Sequence, residues 1–331
     1  MKTRLMLMLC AIVGATWGDA VQTTQTRAEF RIRDPFVLVD EGTYYLYESK
    51  PWSGGNGVGV RTSKDLENWS AVSPAMTLPA SVKATAVWAP EVHRYKEAYY
   101  LFTTLTFAPD PTHPIQPMLL DGRKGGALQP RGVWVFRATS PRGPFTPVKM
   151  GSVTPADWMC LDGTLWVENG APWMVFCHEW CQTGNGRMMA APLSDDLSRF
   201  TAAPIELFRA ADAPKGGTVT DGPFLLRDAG GKLRMIWSNF LSGTGYCVLQ
   251  STSASGSVKG PWGGHVPIYT KDGGHGMVFR DLKGNVALTF HAPNRGPAER
   301  MQLVPVKVTA HGVEIVSRSA TGSGQPVACP R

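Results

Sequence analysis

Beyond the first twenty residues, short aromatic and β-branched runs bounded by Gly, Pro, Asp or Asn recur along the whole chain. Almost no stretch of a dozen residues keeps a helical period without a Gly or Pro. This pattern predicts an all-β chain. A polar residue, then Gly or Pro, then an apolar strand appears at Asp34-Pro35-Phe36, Ala89-Pro90-Glu91, Asp162-Gly163-Thr164, Asp221-Gly222-Pro223 and Gly274-His275-Gly276. Each opening is followed by a turn and a second aromatic strand, at 43–47, 98–103, 172–177, 232–238 and 285–291. Outer turns match in pairs: Ser63-Lys64-Asp65-Leu66 with Ser194-Asp195-Asp196-Leu197, and Ser140-Pro141-Arg142-Gly143-Pro144-Phe145 with Lys259-Gly260-Pro261-Trp262.

Five such units, each of roughly 40 to 60 residues, predict a five-bladed β-propeller occupying 21–331 as one domain. In a propeller the first strand of every blade lines the central channel and its opening residue lies at one rim. The antiparallel second strand ends at that same rim. Five polar clusters far apart in sequence are thus expected to meet at one pocket.

Composition refines this picture. A chain of 331 residues with 43% hydrophobic content can bury a large core, and its 36 Gly and 26 Pro are spread evenly, as many tight turns require. Its 11 Trp suit sheet packing and the flat faces of sugar rings alike. Lys2 and Arg4, the apolar run 5–13 and Gly18-Asp19-Ala20 read as a signal peptide cleaved near Ala20. The run is too short to anchor in a bilayer, and the bulky Leu9 before Cys10 argues against a lipoprotein site. A secreted or periplasmic monomer without membrane insertion is expected. Cleavage would leave Cys160, Cys177, Cys181, Cys247 and Cys329, an odd number, so at least one thiol stays unpaired. The net charge of +7 is scattered singly, as on a solvated surface, and nucleic acid is not an expected partner.

Several chemistries lack their residues. Cys177, His178 and Cys181 have no second ligand pair nearby to close a zinc site, and His178-Glu179 lacks the second His and the helix of a zinc protease. The Gly-rich segments 53–59 and 243–245 are followed by no Lys-Ser or Lys-Thr pair, and no Ser is flanked as in a nucleophile elbow.

The order Arg33-Asp34-Pro35-Phe36, Trp88-Ala89-Pro90-Glu91-Val92-His93, Leu161-Asp162-Gly163, Asp221-Gly222-Pro223 and Gly274-His275-Gly276 resembles the family 43 glycoside hydrolases. The resemblance runs from about residue 27 to about 316. It implies a five-bladed propeller that inverts the anomeric configuration of arabinofuranosides or xylosides from plant polysaccharides. It implies Asp34 as general base, Asp162 as the carboxylate that tunes the acid, and Asp221 at the position of the acid. No cofactor is required, although His275 matches a family His near the axis where some members hold calcium.

Inversion needs an ionised carboxylate to deprotonate a water and a protonated acid for the leaving oxygen, roughly 6.5 to 9.5 Å apart. A third carboxylate close to the acid raises its pKa. The family's acid is usually Glu, and Asp221 is one methylene shorter. Glu179, expected where the second strand of the third unit returns to the rim, is the alternative acid, and the two stand even. Glu91, Trp88, Trp180, Trp52, His275, Asn239 and His291 are the expected substrate contacts or wall residues. Arg33 either holds Asp34 ionised or points away. The expected activity is exo-acting α-L-arabinofuranosidase, with β-xylosidase next and then galactosidase or galactofuranosidase. The insertion 107–132 is expected to close one end of the pocket. The competing reading is a carbohydrate-binding propeller without catalysis.

Overall fold

The computed structural model describes residues 24–52, 55–119 and 122–316, with the side chains of 50–56 left aside. The segment expected to be a signal peptide, Cys10 and Cys329 lie outside the described residues, as does the side chain of Trp52.

Five antiparallel sheets follow one another along the chain. Blade one holds Phe36–Asp40, Thr43–Trp52, Gly55–Ser63 and Asn68–Trp69, with Ser73–Thr77 also paired to Gly55–Ser63 and the chain's first strand, Gln25–Thr26, added at its edge. Blade two holds Ala84–Tyr95, Ala98–Phe107, Arg131–Ala138 and Thr146–Pro147. Blade three is Cys160–Glu168, Ala171–His178, Arg187–Pro192 and Ile205–Arg209. Blade four is Asp221–Arg227, Leu233–Leu241, Gly245–Ser253 and Trp262–Tyr269, and blade five is Gly274–Arg280, Val286–Ala292, Arg300–Thr309 and Gly312–Ile315. The first strands pack side by side in chain order, and that of blade five closes back onto that of blade one. The expected five-bladed propeller is the observed fold.

Apolar side chains fill the seams between blades, as the alternation of strand faces requires. Tyr47, Leu101, Phe136 and Phe279 join blades one, two and five. Val133 and Phe176 join two and three, Val175 and Trp237 join three and four, and Ile236 and Phe290 join four and five. The ring is also stitched by polar contacts across its closure. Arg300 Nε donates to the Ala28 carbonyl at 2.7 Å, and Arg31 Nε to the Gly296 carbonyl at 3.1 Å.

The opening of each first strand has a distinctive backbone. Asp34, Ala89, Asp162, Gly222 and His275 all have φ between 45° and 54°, and each precedes Pro or Gly. In blades two to five this residue sits in a register slip against the second strand. Asp and His tolerate the left-handed region better than most residues. In blade four only Gly serves, because a Cβ on Gly222 would lie 2.8 Å from Cγ of His275. The frame therefore differs by one residue from the motif alignment: Gly222, not Asp221, is the equivalent of Asp34 and Asp162. Asp221 stands one position earlier, where blades one, two, three and five carry Arg33, Trp88, Leu161 and Gly274.

One short helix, α1, spans Trp180–Thr183 directly after Glu179, where no helix is expected from the sequence. Gly184, at φ 73°, ends it, and the Gln182 side chain pins it to the Gln116 and Asp157 carbonyls at 2.8 Å each.

Candidate active site

Asp34, Asp162, Glu179, Asp221 and His275 line one open pocket of about 1030 Å³ at the rim where the first strands begin. Trp88 and Trp180 are on its wall. The chain thus brings carboxylates of blades one, three and four into one cavity.

Asp34 is the most heavily contacted. Its Oδ1 lies 3.3 Å from Nδ1 of both His275 and His291, and 3.8 Å from Nε of Arg33. Arg33 therefore faces Asp34, and it is anchored there by Glu299 Oε1 at 2.9 Å and Asn294 Oδ1 at 3.1 Å. Burial alone would raise the pKa of Asp34, but the two imidazoles and Arg33 outweigh it and hold the carboxyl below the usual carboxylate range. This is a carboxylate that stays ionised.

Asp162 Oδ2 accepts the Gly222 backbone N–H at 3.0 Å and lies 3.7 Å from His275 Nδ1. One ring nitrogen thus stands between the Asp34 and Asp162 carboxylates. Tyr246 Oη donates to Asp221 Oδ2 at 3.0 Å. Burial first and like charge second push both Asp162 and Asp221 well above the ordinary range, Asp34 acting on the former and Asp162 on the latter. The site therefore sets a carboxylate that favours its ionised form beside a buried pair, Asp162 and Asp221, in which the charge of one helps the other to hold a proton, the arrangement acid–base chemistry needs.

Glu179 is placed differently. It is 8% exposed and forms a buried ion pair with Arg131, which opens the third strand of blade two, while Cys181 Sγ donates to its other oxygen at 3.4 Å. Burial raises its pKa, and Arg131 and Cys181 pull in the opposite direction. Arg131 Cζ lies 4.2 Å from the ring centre of Trp88, so that indole is held by a cation–π contact while it lines the pocket.

Three residues expected on the wall are elsewhere. Asn239 is fully buried and donates to the Ala210 carbonyl at 2.9 Å. The segment 215–217 covers it, and its neighbour Phe240 takes the pocket face because side chains alternate along a strand. His291, also fully buried, backs Asp34 from below. Glu91 bonds His93 Nε2 at 3.0 Å and lines a narrow axial space beneath the pocket with Asp34 and His275. The described part of the insertion 107–132 does not reach the pocket wall either. It packs behind α1, where Gly126 N donates to the Cys181 carbonyl at 2.9 Å and Met118 N to the Gln182 carbonyl at 2.8 Å.

Arg131 and Tyr246 were not anticipated. Both stand at or next to the start of a third strand, which begins at the rim where the second ended. A polar residue at that position is the signal that finds them. His178 is buried, bonded to Gln182 Oε1 at 2.8 Å and stacked on Trp158. Among the described residues no group of three or more His, Cys, Asp or Glu side chains is arranged to hold a metal ion, and Cys160, Cys177, Cys181 and Cys247 are all free thiols.

Residues 28–313 match the family model for glycosyl hydrolases family 43. An endo-arabinase from Bacteroides thetaiotaomicron VPI-5482 is 36% identical, with a TM-score of 0.73 over 86% of this chain and 97% of that one. The same fold recurs in an alpha-L-arabinofuranosidase from Lactobacillus brevis, at 18% identity and TM-score 0.66 over 86% and 93% of the two chains. It recurs in a xylan beta-1,4-xylosidase from Bacillus halodurans C-125, at 19% identity and TM-score 0.65 over 91% and 59%. Comparison with curated protein sequences gave no match. Motif order, closed propeller, convergent carboxylates and family match agree: this chain is a carbohydrate-cleaving glycosidase and belongs to glycoside hydrolase family 43.

Proposed function

We propose that the protein hydrolyses α-L-arabinofuranosyl linkages of arabinose-containing plant polysaccharide in a single displacement that inverts the anomeric carbon. Asp34 takes a proton from the attacking water as that water bonds to the anomeric carbon. Asp221 gives its proton to the departing glycosidic oxygen. Asp162, against the Gly222 amide, keeps Asp221 protonated at neutral pH. Trp88 and Trp180 offer ring faces to the sugar. The observation carrying this reading is the opposite electrostatics of Asp34 and Asp221 in one pocket: the first is held down by two imidazoles and a guanidinium, the second pushed up by burial and Asp162.

Burial raises both carboxyls, but a neighbouring carboxylate, Asp162, adds to the rise at Asp221 whereas the Arg131 ion pair opposes it at Glu179, and Asp221 is therefore preferred as the acid. Tyr246 occupies Oδ2 of Asp221 as a donor, leaving Oδ1 as the oxygen that carries the transferable proton.

Cleavage within a chain of sugars is the reading we take. A pocket of about 1030 Å³ is at the upper end of the roughly 300–1,000 Å³ that enclose a drug-sized ligand, so it admits more than one ring. The 36% identical relative bears the name endo-arabinase. The insertion 107–132 was expected to favour exo action by closing one end of the pocket, and none of its described residues lines the pocket. The basic and then apolar start of the sequence supports export.

Proton NMR during hydrolysis of linear α-1,5-arabinan tests both points. The first-formed reducing end should be the β-anomer, on products of several lengths. A first-formed α-anomer overturns inversion, and arabinose as the sole early product overturns internal cleavage.

A further inference from the structure

One wall of the pocket has an electrostatic character that the hydrolytic step does not use. Arg31, Arg33 and Arg295 line it together, within three residues of Asp34 or in the loop after the second strand of blade five. Arg31 and Arg33 share a single buried carboxylate, Glu299, which is 1% exposed. Arg33 is saturated by Glu299, Asn294 and Asp34. Arg31 gives one terminal nitrogen to Glu299 Oε2 at 2.5 Å and its Nε to the Gly296 carbonyl, and its side chain is still 59% exposed. Arg295, the residue before Gly296, is exposed and forms no ion pair with any described residue. Elsewhere on the wall Arg61 is neutralised by Glu48 at 3.1 Å. The Arg31–Arg295 corner is therefore left with positive charge and planar donors in excess, inside a sugar-binding pocket.

We propose that this corner recognises the carboxylate of a uronic acid carried by the arabinose-containing substrate. A guanidinium matches a carboxylate with two parallel hydrogen bonds, which a neutral sugar hydroxymethyl group cannot return. Recognition of acidic, uronate-bearing arabino-oligosaccharides over neutral ones follows. This deepens the hydrolase reading given above and rests on it for the identity of the sugar chain.

The test uses a uronic-acid-bearing arabino-oligosaccharide and the same compound with its carboxyl reduced to hydroxymethyl. Binding to the Asp34→Ala protein is measured by calorimetry, and turnover by the wild type is measured separately. The acidic compound should bind about tenfold more tightly, the order of one charge-assisted hydrogen bond. That ratio should shrink towards one in Arg31→Ala and Arg295→Ala backgrounds and in high salt, and Arg295→Lys should restore part of it. Equal binding of the two compounds, or a ratio unchanged by both substitutions, overturns the proposal. Arginine-dependent preference without turnover of either compound leaves the corner standing and defeats the proposed arabinofuranosyl specificity instead.

Discussion

Tyr246 reaches across blade four from its third strand to donate a 3.0 Å hydrogen bond to Oδ2 of Asp221. The contact fixes a side chain one methylene shorter than the glutamate usual in the family, and it favours the ionised form of Asp221. In Tyr246→Phe the Asp221 pKa should rise, so the basic limb of the kcat/KM profile should move to higher pH. Turnover at neutral pH of substrates with poor leaving groups should fall about tenfold as the acid loses its anchor. An unshifted basic limb would separate Tyr246 from the acid.

The same phenol depends on a glycine. A Cβ on Gly274 would lie 2.3 Å from Cε1 of Tyr246, so the ring cannot stay where it is beside any other residue. Gly274→Ala should cost about 1–3 kcal/mol in urea unfolding. It should also reproduce the pH shift of Tyr246→Phe, since both release Asp221.

Asp221 also gives a stability prediction. Its folded pKa lies above the unfolded value of about 3.9, because of burial and then Asp162. A group raised in this way holds its proton more tightly when folded. Its contribution to stability is complete below the unfolded pKa and is lost as pH rises through the folded one. Asp221→Asn removes that loss. Its Tm should exceed that of the wild type at pH 8, by roughly 2–4 °C for each kcal/mol recovered, and the gap should narrow at pH 4. Asp34 runs the other way: its lowered pKa stabilises the fold above about pH 3.9, and this is lost as pH falls.

The Arg131–Glu179 pair is buried on both sides, at 6% and 10% side-chain exposure. Glu179→Ala strands the guanidinium and should cost about 3–5 kcal/mol of stability. It should also loosen Trp88, raising KM for every substrate regardless of leaving group. If Glu179 were the acid, the loss would instead appear in kcat and vanish with activated substrates.

Much of this molecule was legible in its sequence because a propeller repeats. The openings at Asp34, Asp162 and His275 mark the rim directly, since each residue must adopt the left-handed backbone that starts a blade. What escaped depended on register and distant packing. The shift of Asp221 from the blade-opening position is set by Gly222 meeting His275, which no local pattern reveals. Asn239 and Phe240 differ by one place on a strand, and only pairing with the neighbouring strand decides which faces the pocket. Arg131 comes into play through a salt bridge to a residue 48 positions away, and the described part of the insertion before it packs against α1.

The division of labour between Asp34 and Asp221 is tested most directly by varying the leaving group. Kinetics of Asp34→Ala and Asp221→Ala should be compared on aryl α-L-arabinofuranosides whose phenols span a wide acidity range. Asp34→Ala should lose about 10²–10⁴ in kcat on all of them. Asp221→Ala should lose as much on poor leaving groups and approach the wild type on nitrophenolates, which depart without a proton. Asp34→Ala rescued by good leaving groups, or Asp221→Ala impaired equally on every one, would contradict the assignment.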